Sequence, residues 1–450
     1  MNIKLKITVK LCLLITLVYP WGSSFSAIDI VFDVSNSNNT PEAAVATAIE
    51  DFCPKIQNMT GASADTARLA EVCNAVQNAQ QTETQEAYRG LSARSATSIL
   101  NMMSRGPLSQ PVDVIDKRLA ALRRIAESLN VADVDTKTKQ LLAENIDTDL
   151  GRTPSGGAAG SAQIASDWSG FLTANYTNAN QDKTQTLAGF DADTTAAVVG
   201  IDYRFKSGLF AGAAARLLTS DVDLDGNAGT LDALDGNITL YSTFFVTDNL
   251  YLDGTAHYGA TTFELDRKLN FSVNGVAVNE TSDSDTKANQ FGVSVGAGYD
   301  WRLAKSVTTQ FVGNLRYNSV SIDSYTETNA RGVTLKIHDQ GFETLTSKLG
   351  IQLSAPFSQS WGVLVPQFDF FWIHEFITDG EKIRANFDAD PFGTQFTFTS
   401  DDLDENYYAA SVSTAFVFAG GFHMFVQYER YIDYESYDQG MISLGARVEF

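Results

Sequence analysis

The sequence predicts an all-β fold, a twelve-stranded antiparallel transmembrane β-barrel preceded by a small α-helical region. Three observations predict it. From Trp168 onward apolar residues recur with a period of two, the spacing of a strand with two unlike faces. The connections between these strands alternate short and long. The last strand carries its apolar face to the final residue: Gly440, Ile442, Leu444, Ala446, Val448 and Phe450 share one parity, while Ser443, Arg447 and Glu449 share the other. The ends of soluble domains usually fray in water. An apolar face running to the terminus suits a strand that closes a barrel, with lipid outside and a polar lumen inside.

Composition narrows the class. A net charge of −22 repels phosphate and argues against nucleic-acid binding. Aromatic residues at 11% are too many for a disordered chain. Mean hydropathy is slightly negative, which excludes a bundle of membrane-spanning helices for the bulk of the chain. The first residues read as a secretory signal over 1–26. Lys4, Lys6 and Lys10 precede an apolar run from Leu11 to Val18, and Ser24-Phe25-Ser26 supplies small residues at a cleavage site. The apolar run is too short to span a membrane as a helix. A chain so addressed uses the general secretory translocon, and Cys12 leaves with the signal.

Residues 27–165 are expected to form a helical module. Residues 27 to about 45 are polar and Asn/Ser-rich. Ile49, Phe52, Cys53 and Ile56, then Leu69, Val72, Cys73 and Val76, recur at helical spacing. The mature chain keeps two cysteines, and an even count after export predicts a Cys53–Cys73 disulfide. With no His nearby, two sulfurs make a poor metal site. A bridge closing about 20 residues contributes roughly 3 kcal/mol through the unfolded state. One further helix is expected over Glu83 to Met103, ended by Gly106-Pro107. The segment 112–129 has an apolar stripe of Ile115, Leu119, Leu122, Ile125 and Leu129 and the basic residues Lys117, Arg118, Arg123 and Arg124. Gly-rich 151–160 reads as a flexible linker.

From 166 to 450 the barrel strands are expected at about 168–177, 193–205, 208–219, 235–247, 250–263, 286–302, 306–318, 342–354, 361–375, 405–418, 421–431 and 440–450. Lys206-Ser207, Asp248-Asn249 and Ala419-Gly420 are tight turns. Long polar stretches (178–192, 220–234, 264–285, 319–341, 376–404 and 432–439) alternate with them. Short periplasmic turns and long external loops are the plan of an outer-membrane barrel, and an even strand count puts both barrel ends at the periplasm.

An ordered set of motifs resembles the β-domain of autotransporters, the type V secretion family. It comprises Leu315-Arg316-Tyr317 leading to Tyr325 and Glu327, Pro366 with Trp372, His374-Glu375-Phe376, Asn406-Tyr407-Tyr408, Tyr428-Glu429 and the ending Leu444 to Phe450. Arg118-Leu119 and Leu122-Arg123 resemble the helix that often precedes this domain. The resemblance implies a monomeric barrel in outer-membrane lipid whose pore holds the segment leading to an exported passenger. It also implies that Phe450 is an assembly signal for the β-barrel assembly machinery. The helix at 112–129 would be about 27 Å long, enough to cross the membrane core. Its basic residues then face lumen-parity acids such as Asp202, Asp300, Glu429 and Glu449. Lumen-parity Arg204, Arg216, Lys348 and Arg447 give the interior both signs. Passengers of the family are often long repetitive β-helices; here the passenger is short and shows no repeat.

Little points to catalysis or a cofactor. His374-Glu375 begins like a zinc-protease motif, but Thr378 breaks H-E-x-x-H and the pair reads as a strand end at the external rim. The passenger has no His and no G-x-S-x-G, so it is not expected to be an enzyme. Asp221, Asp223, Asp225, Gly226 and Asp232 match the spacing of a calcium loop, although their flanks are strands and acidic turns are common. The functional expectation is an outer-membrane autotransporter that exports or displays a small helical module. The alternatives are a plugged channel and a surface adhesin.

Overall fold

The computed structural model describes residues 40–105, 108, 167–205, 208–304, 307–418 and 421–450. The signal at 1–26, the helix at 112–129 with Lys117, Arg118, Arg123 and Arg124, and the linker at 151–160 lie outside the described residues. The chain opens with helices α1 (Pro41–Ile56), α2 (Ala64–Gln77), α3 (Gln81–Leu91) and α4 (Arg94–Ser104). Strands follow as β1 (Trp168–Gln181), β2 (Phe190–Arg204), β3 (Leu209–Leu224), β4 (Gly229–Phe245), β5 (Leu250–Val273), β6 (Val276–Ala304), β7 (Val307–Ile322), β8 (Tyr325–Thr326) and β9 (Leu335–Ile337). The remainder are β10 (Gln340–Ser354), β11 (Phe357–Gln359), β12 (Gly362–Glu375), β13 (Lys382–Phe387), β14 (Gln395–Thr399), β15 (Asn406–Phe418), β16 (Phe422–Ile432) and β17 (Tyr437–Glu449).

Twelve of these strands, β1 to β7 with β10, β12, β15, β16 and β17, pair antiparallel in chain order and close into a barrel. The seam lies between the first and last strands, where β1 pairs with β17 from Ser169↔Glu449 to Gln181↔Tyr437. Closure removes the open edges that a membrane cannot tolerate. Alternation decides which way each side chain faces. Leu217, Ile238, Val295 and Leu444 lie on the exposed outer surface, and Ser220, Asn237, Ser294 and Ser443 are buried on the inner one. Phe450 is 62% exposed, in line with the outward face, and its amide donates to the Trp168 carbonyl at 3.2 Å. Both barrel ends therefore lie at the end of the short turns.

The loop end departs from expectation in three ways. Residues 264–285, expected as a loop, instead extend β5 and β6 outward as a long hairpin. Its tip is Asn274-Gly275, both at positive φ (45° and 78°), the conformation of a two-residue hairpin turn. The alternation persists there because Leu269, Phe271 and Val273 still face inward and are covered by the helices, while Lys268, Asn270 and Ser272 face water. Secondly, the long connections 323–339 and 376–405 are structured. They pair into a second sheet in the order β14-β13-β9-β8, whose inner face holds Ile383, Phe387, Phe396 and Phe398. Thirdly, the single helix expected over Glu83 to Met103 is two helices. Ser92 is extended (φ −75°, ψ 156°) and breaks the run, so that α3 packs against β5 while α4 turns into the barrel mouth.

The helical hairpin is set by local chemistry. The Thr40 hydroxyl caps α1 by accepting from the Ala43 amide at 3.2 Å, and Pro41 occupies the first turn, where no amide proton is needed. The Ser63 hydroxyl caps α2 by accepting from Thr66 at 3.0 Å. Cys53 on α1 and Cys73 on α2 are joined by a disulfide with Cα atoms 5.6 Å apart, both buried.

Candidate functional site

The helices form a cap seated in the outer mouth of the barrel. In α4 each side chain from Arg94 to Ile99 is buried, as are Met102 and Met103. A helix buried on all sides needs partners for its polar groups. Arg94 supplies the main one. Its guanidinium pairs with Glu42 of α1 at 2.7 Å and donates to the carbonyls of Thr184 (3.1 Å), Gln185 (2.5 Å) and Leu187 (3.3 Å) in the β1–β2 loop. Deeper in, the Met103 sulfur meets the Thr261 hydroxyl of the β5 wall at 4.0 Å.

A second arginine holds the cap from the barrel side. Arg267 of β5 makes a two-pronged pair with Glu327 (2.7 and 2.5 Å) and donates to the Gly90 carbonyl of α3 at 2.9 Å. Glu327 also accepts from the Leu335 amide at 2.9 Å, so one carboxylate ties hairpin, loop sheet and, through Arg267, the cap. Gly90 is needed for this approach: a Cβ there would lie 2.5 Å from the Phe271 ring. Phe52 of α1 packs against Phe387 of the loop sheet with ring centroids 5.5 Å apart. Thr66 donates to the Ala389 carbonyl (2.9 Å), and Arg68 to the Ala277 carbonyl (2.8 Å). Arg105, just past α4, donates to the Asp402 carbonyl and lies over the Tyr434 ring at 5.8 Å. Burial pushes the Tyr434 phenol well above its usual range, a shift that the Arg105 charge opposes.

Several motif residues meet at this end. Tyr407 donates to Glu375 at 3.1 Å and stacks on Tyr434 with centroids 4.1 Å apart. Trp372 donates to the Asn406 side chain at 3.0 Å, and His374 bonds to the same oxygen at 3.1 Å, at the rim where β12 ends. Below the cap the lumen carries both signs. Arg216 and Asp235 pair at 2.7 Å, and Asp202, Asp300, Glu429 and Arg447 are buried on the inner face, whereas Arg204 is exposed near the turns. Glu42, Arg94, Arg105 and Arg267 had escaped sequence reasoning. A lone arginine among Ser, Ala and Thr (Arg94-Ser95-Ala96-Thr97-Ser98) is the signal that could have found the first of these arginines.

The calcium loop is not formed. Asp221 and Asp223 lie on β3 and Asp232 on β4, all facing outward, and only Asp225 is in the turn between them. Among the described residues no group of three acidic, His or Cys side chains is arranged to hold a metal. The strand pairing instead spreads the carboxylates sideways, with Asp193, Asp221, Asp232, Glu264 and Asp285 in register across five neighbouring strands. Burial, then Asp191 and Asp182, raise the Asp225 carboxyl above its usual range.

Residues 170–429 match the family model of the autotransporter β-domain. The chain belongs to the autotransporter family. It is accordingly a protein of the bacterial outer membrane, built on a secretion fold. The autotransporter is 22% identical over 358 residues to outer membrane protein A of Rickettsia conorii, covering 76% of this chain and 17% of that protein. It is 23% identical over 261 residues to the uncharacterized protein YaiT of Escherichia coli, covering 53% of this chain and 25% of YaiT. The chain thus spans a quarter or less of these relatives. Among solved structures, the translocator domain of the autotransporter NalP from Neisseria meningitidis superposes with a TM-score of 0.51 at 13% identity. That match covers 75% of this chain and 98% of NalP's domain, a likeness of fold.

Proposed function

We propose that this autotransporter displays its N-terminal helices as a folded cap on its own mouth. The observation that carries this reading is the burial of α4 and Arg94 against the external loops, an interface with the character of a protein core. Support comes from the positions of Arg105, at the loop end of the closed barrel, and Asp167, at its turn end. In this reading 112–129 is the crossing helix, with Lys117, Arg118, Arg123 and Arg124 turned toward lumen acids. The signal at 1–26 engages the secretory translocon, and Phe450 engages the barrel assembly machinery. Deleting Phe450 lowers membrane insertion and leaves signal cleavage intact.

An epitope inserted at Gly61 tests display. Gly61 sits in an exposed loop with nothing within 4 Å of a Cβ position. The reading expects antibody to label intact cells, with the tag cell-bound. A tag shed into the medium, or labelled only after lysis, overturns it. The filled mouth also suits a plugged channel; deletion of 40–104 that creates steady conductance favours that role.

A further inference from the structure

The last connection of the barrel, residues 433–436 between β16 and β17, carries a tyrosine inward at the mouth. Asp433 and Ser436, which bracket the turn, both have positive φ (57° and 56°). Residues with a Cβ occupy this left-handed region at a cost in free energy, so contacts have to hold the turn there. Between them Tyr434 is buried and lies flat on Tyr407, with ring centroids 4.1 Å apart and planes 3° off parallel. Tyr407 lines the space beside Met103 and Ser104 at the end of α4. The Ser436 carbonyl accepts from the Asp182 amide of the β1–β2 loop at 2.8 Å, and the Tyr437 amide donates to the Tyr434 carbonyl at 3.3 Å. The Glu435 amide donates to the Asp404 carboxylate.

This closed position gathers negative charge. It brings the carboxylates of Asp433 and Glu435 toward that of Asp404, and like charges at close range repel. Burial raises the Asp404 carboxyl above its usual range, and Glu435 and Asp433 push the same way; the Glu435 amide and the Arg105 charge oppose them. Arg105 also lies over the Tyr434 ring, 5.8 Å from its centroid, where a cation meets the negative face of the aromatic system. Its guanidinium is fixed by the Asp402 carbonyl, two residues before Asp404, and the side chain is buried. Tyr407, Asp182 and Asp404 belong to the barrel and are present with or without the cap. The cation arrives with the cap.

We infer that residues 433–436 form a strap that closes over the mouth when Arg105 is seated there, so that closure of the barrel is tied to docking of the cap. Without the cation, the closed strap keeps the cost of two left-handed residues and of three crowded carboxylates, and loses the charge that offsets them. The strap then leaves Tyr407 and samples open positions. Arg105 is a positioning residue in this scheme, acting through Tyr434 and Asp404. The inference needs the cap seated on the mouth, but it does not depend on whether the cap is displayed outside the cell.

The test follows hydrogen exchange of the Glu435 and Tyr437 amides by mass spectrometry, in the full-length folded protein in a neutral detergent. Arg105→Gln is expected to lower their protection factors about tenfold, the effect of one lost charge-assisted contact. Arg105→Lys, which keeps the charge, is expected to retain most of the protection. Adding Asp433→Asn/Glu435→Gln to Arg105→Gln is expected to recover protection, because the repulsion is gone; a packing role for the arginine predicts no recovery. A heat-modifiable gel shift shows that the barrel is folded, and trypsin cleavage at Lys55, Arg68 and Arg89 shows whether the cap has stayed docked. Where Arg105→Gln undocks the cap, Asp433→Asn/Glu435→Gln in the otherwise unaltered protein decides, and it is expected to raise the protection of the same two amides. Three results overturn the proposal: protection unchanged by Arg105→Gln in a folded barrel, no recovery when the strap is neutralised, or protection not raised by neutralising the strap with Arg105 in place.

Discussion

Replacing Arg94 by Met is expected to undock the cap and leave the barrel closed. The side chains of Arg94 and Glu42 are 8% and 12% exposed, so solvent screens their pair little. Met keeps most of the aliphatic volume but strands the Glu42 carboxylate and three carbonyls of the β1–β2 loop. Removing one partner of a buried ion pair typically costs about 3–5 kcal/mol. A change of that size shifts the docked-to-undocked ratio by roughly a hundredfold to several thousandfold. The assay is limited trypsin digestion of outer-membrane vesicles, read at Lys55, Arg68 and Arg89 in the cap, with the heat-modifiable shift as the control for the barrel. Cap cleavage should accelerate by that factor while the shift persists. The Glu42→Gln/Arg94→Met pair should recover part of the loss, because the stranded charge is gone. Cap digestion unchanged by Arg94→Met would refute the view that this arginine holds the helix in the mouth.

Other substitutions probe the remaining anchors. Gly90→Leu drives a side chain into the Phe271 ring and should weaken docking by about 1–3 kcal/mol, with Phe271→Ala relieving it, as hydrogen exchange in α3 would report. Arg267→Leu leaves Glu327, whose side chain is 1% exposed, without its cation, and should destabilise hairpin and loop sheet by about 3–5 kcal/mol; proteolysis of 323–339 is the readout. The double Arg267→Leu/Glu327→Leu variant should be closer to the unaltered protein. Replacing Cys53 and Cys73 together by Ala should cost the cap about 3 kcal/mol and leave barrel melting unchanged, which calorimetry of the two transitions can separate.

The barrel was legible because each membrane strand has to show lipid one face and water the other, and that requirement writes itself into residue parity. Runs such as Phe291, Val293 and Val295 against Gly292, Ser294 and Gly296 leave little freedom. The external half was less legible. At 264–285 the outward positions carry Glu264, Asp266, Lys268 and Asp283, so the stretch reads as a polar loop although Leu265, Leu269 and Phe271 keep the period. The short strands β13 and β14 hid in the same way within a long polar connection. An apolar stripe on a helix shows that it packs but not on what, so the seating of α1 to α4 on the barrel's own loops had no sequence signature. The Asp221–Asp232 spacing misled because period-two strands place alternate acids on one exposed face, where a calcium loop would fold them inward.

The most direct test of a surface-held cap uses the loop 57–63, which is exposed and flanked by the bonded Cys53 and Cys73. A site-specific protease sequence placed there is offered to intact cells, and the recovered protein is run with and without reductant. A displayed and retained cap predicts cleavage on intact cells, one full-length band without reductant, and separation into an N-terminal fragment and the barrel with it. Protection of the site on intact cells, or loss of the fragment into the medium before reduction, contradicts the account.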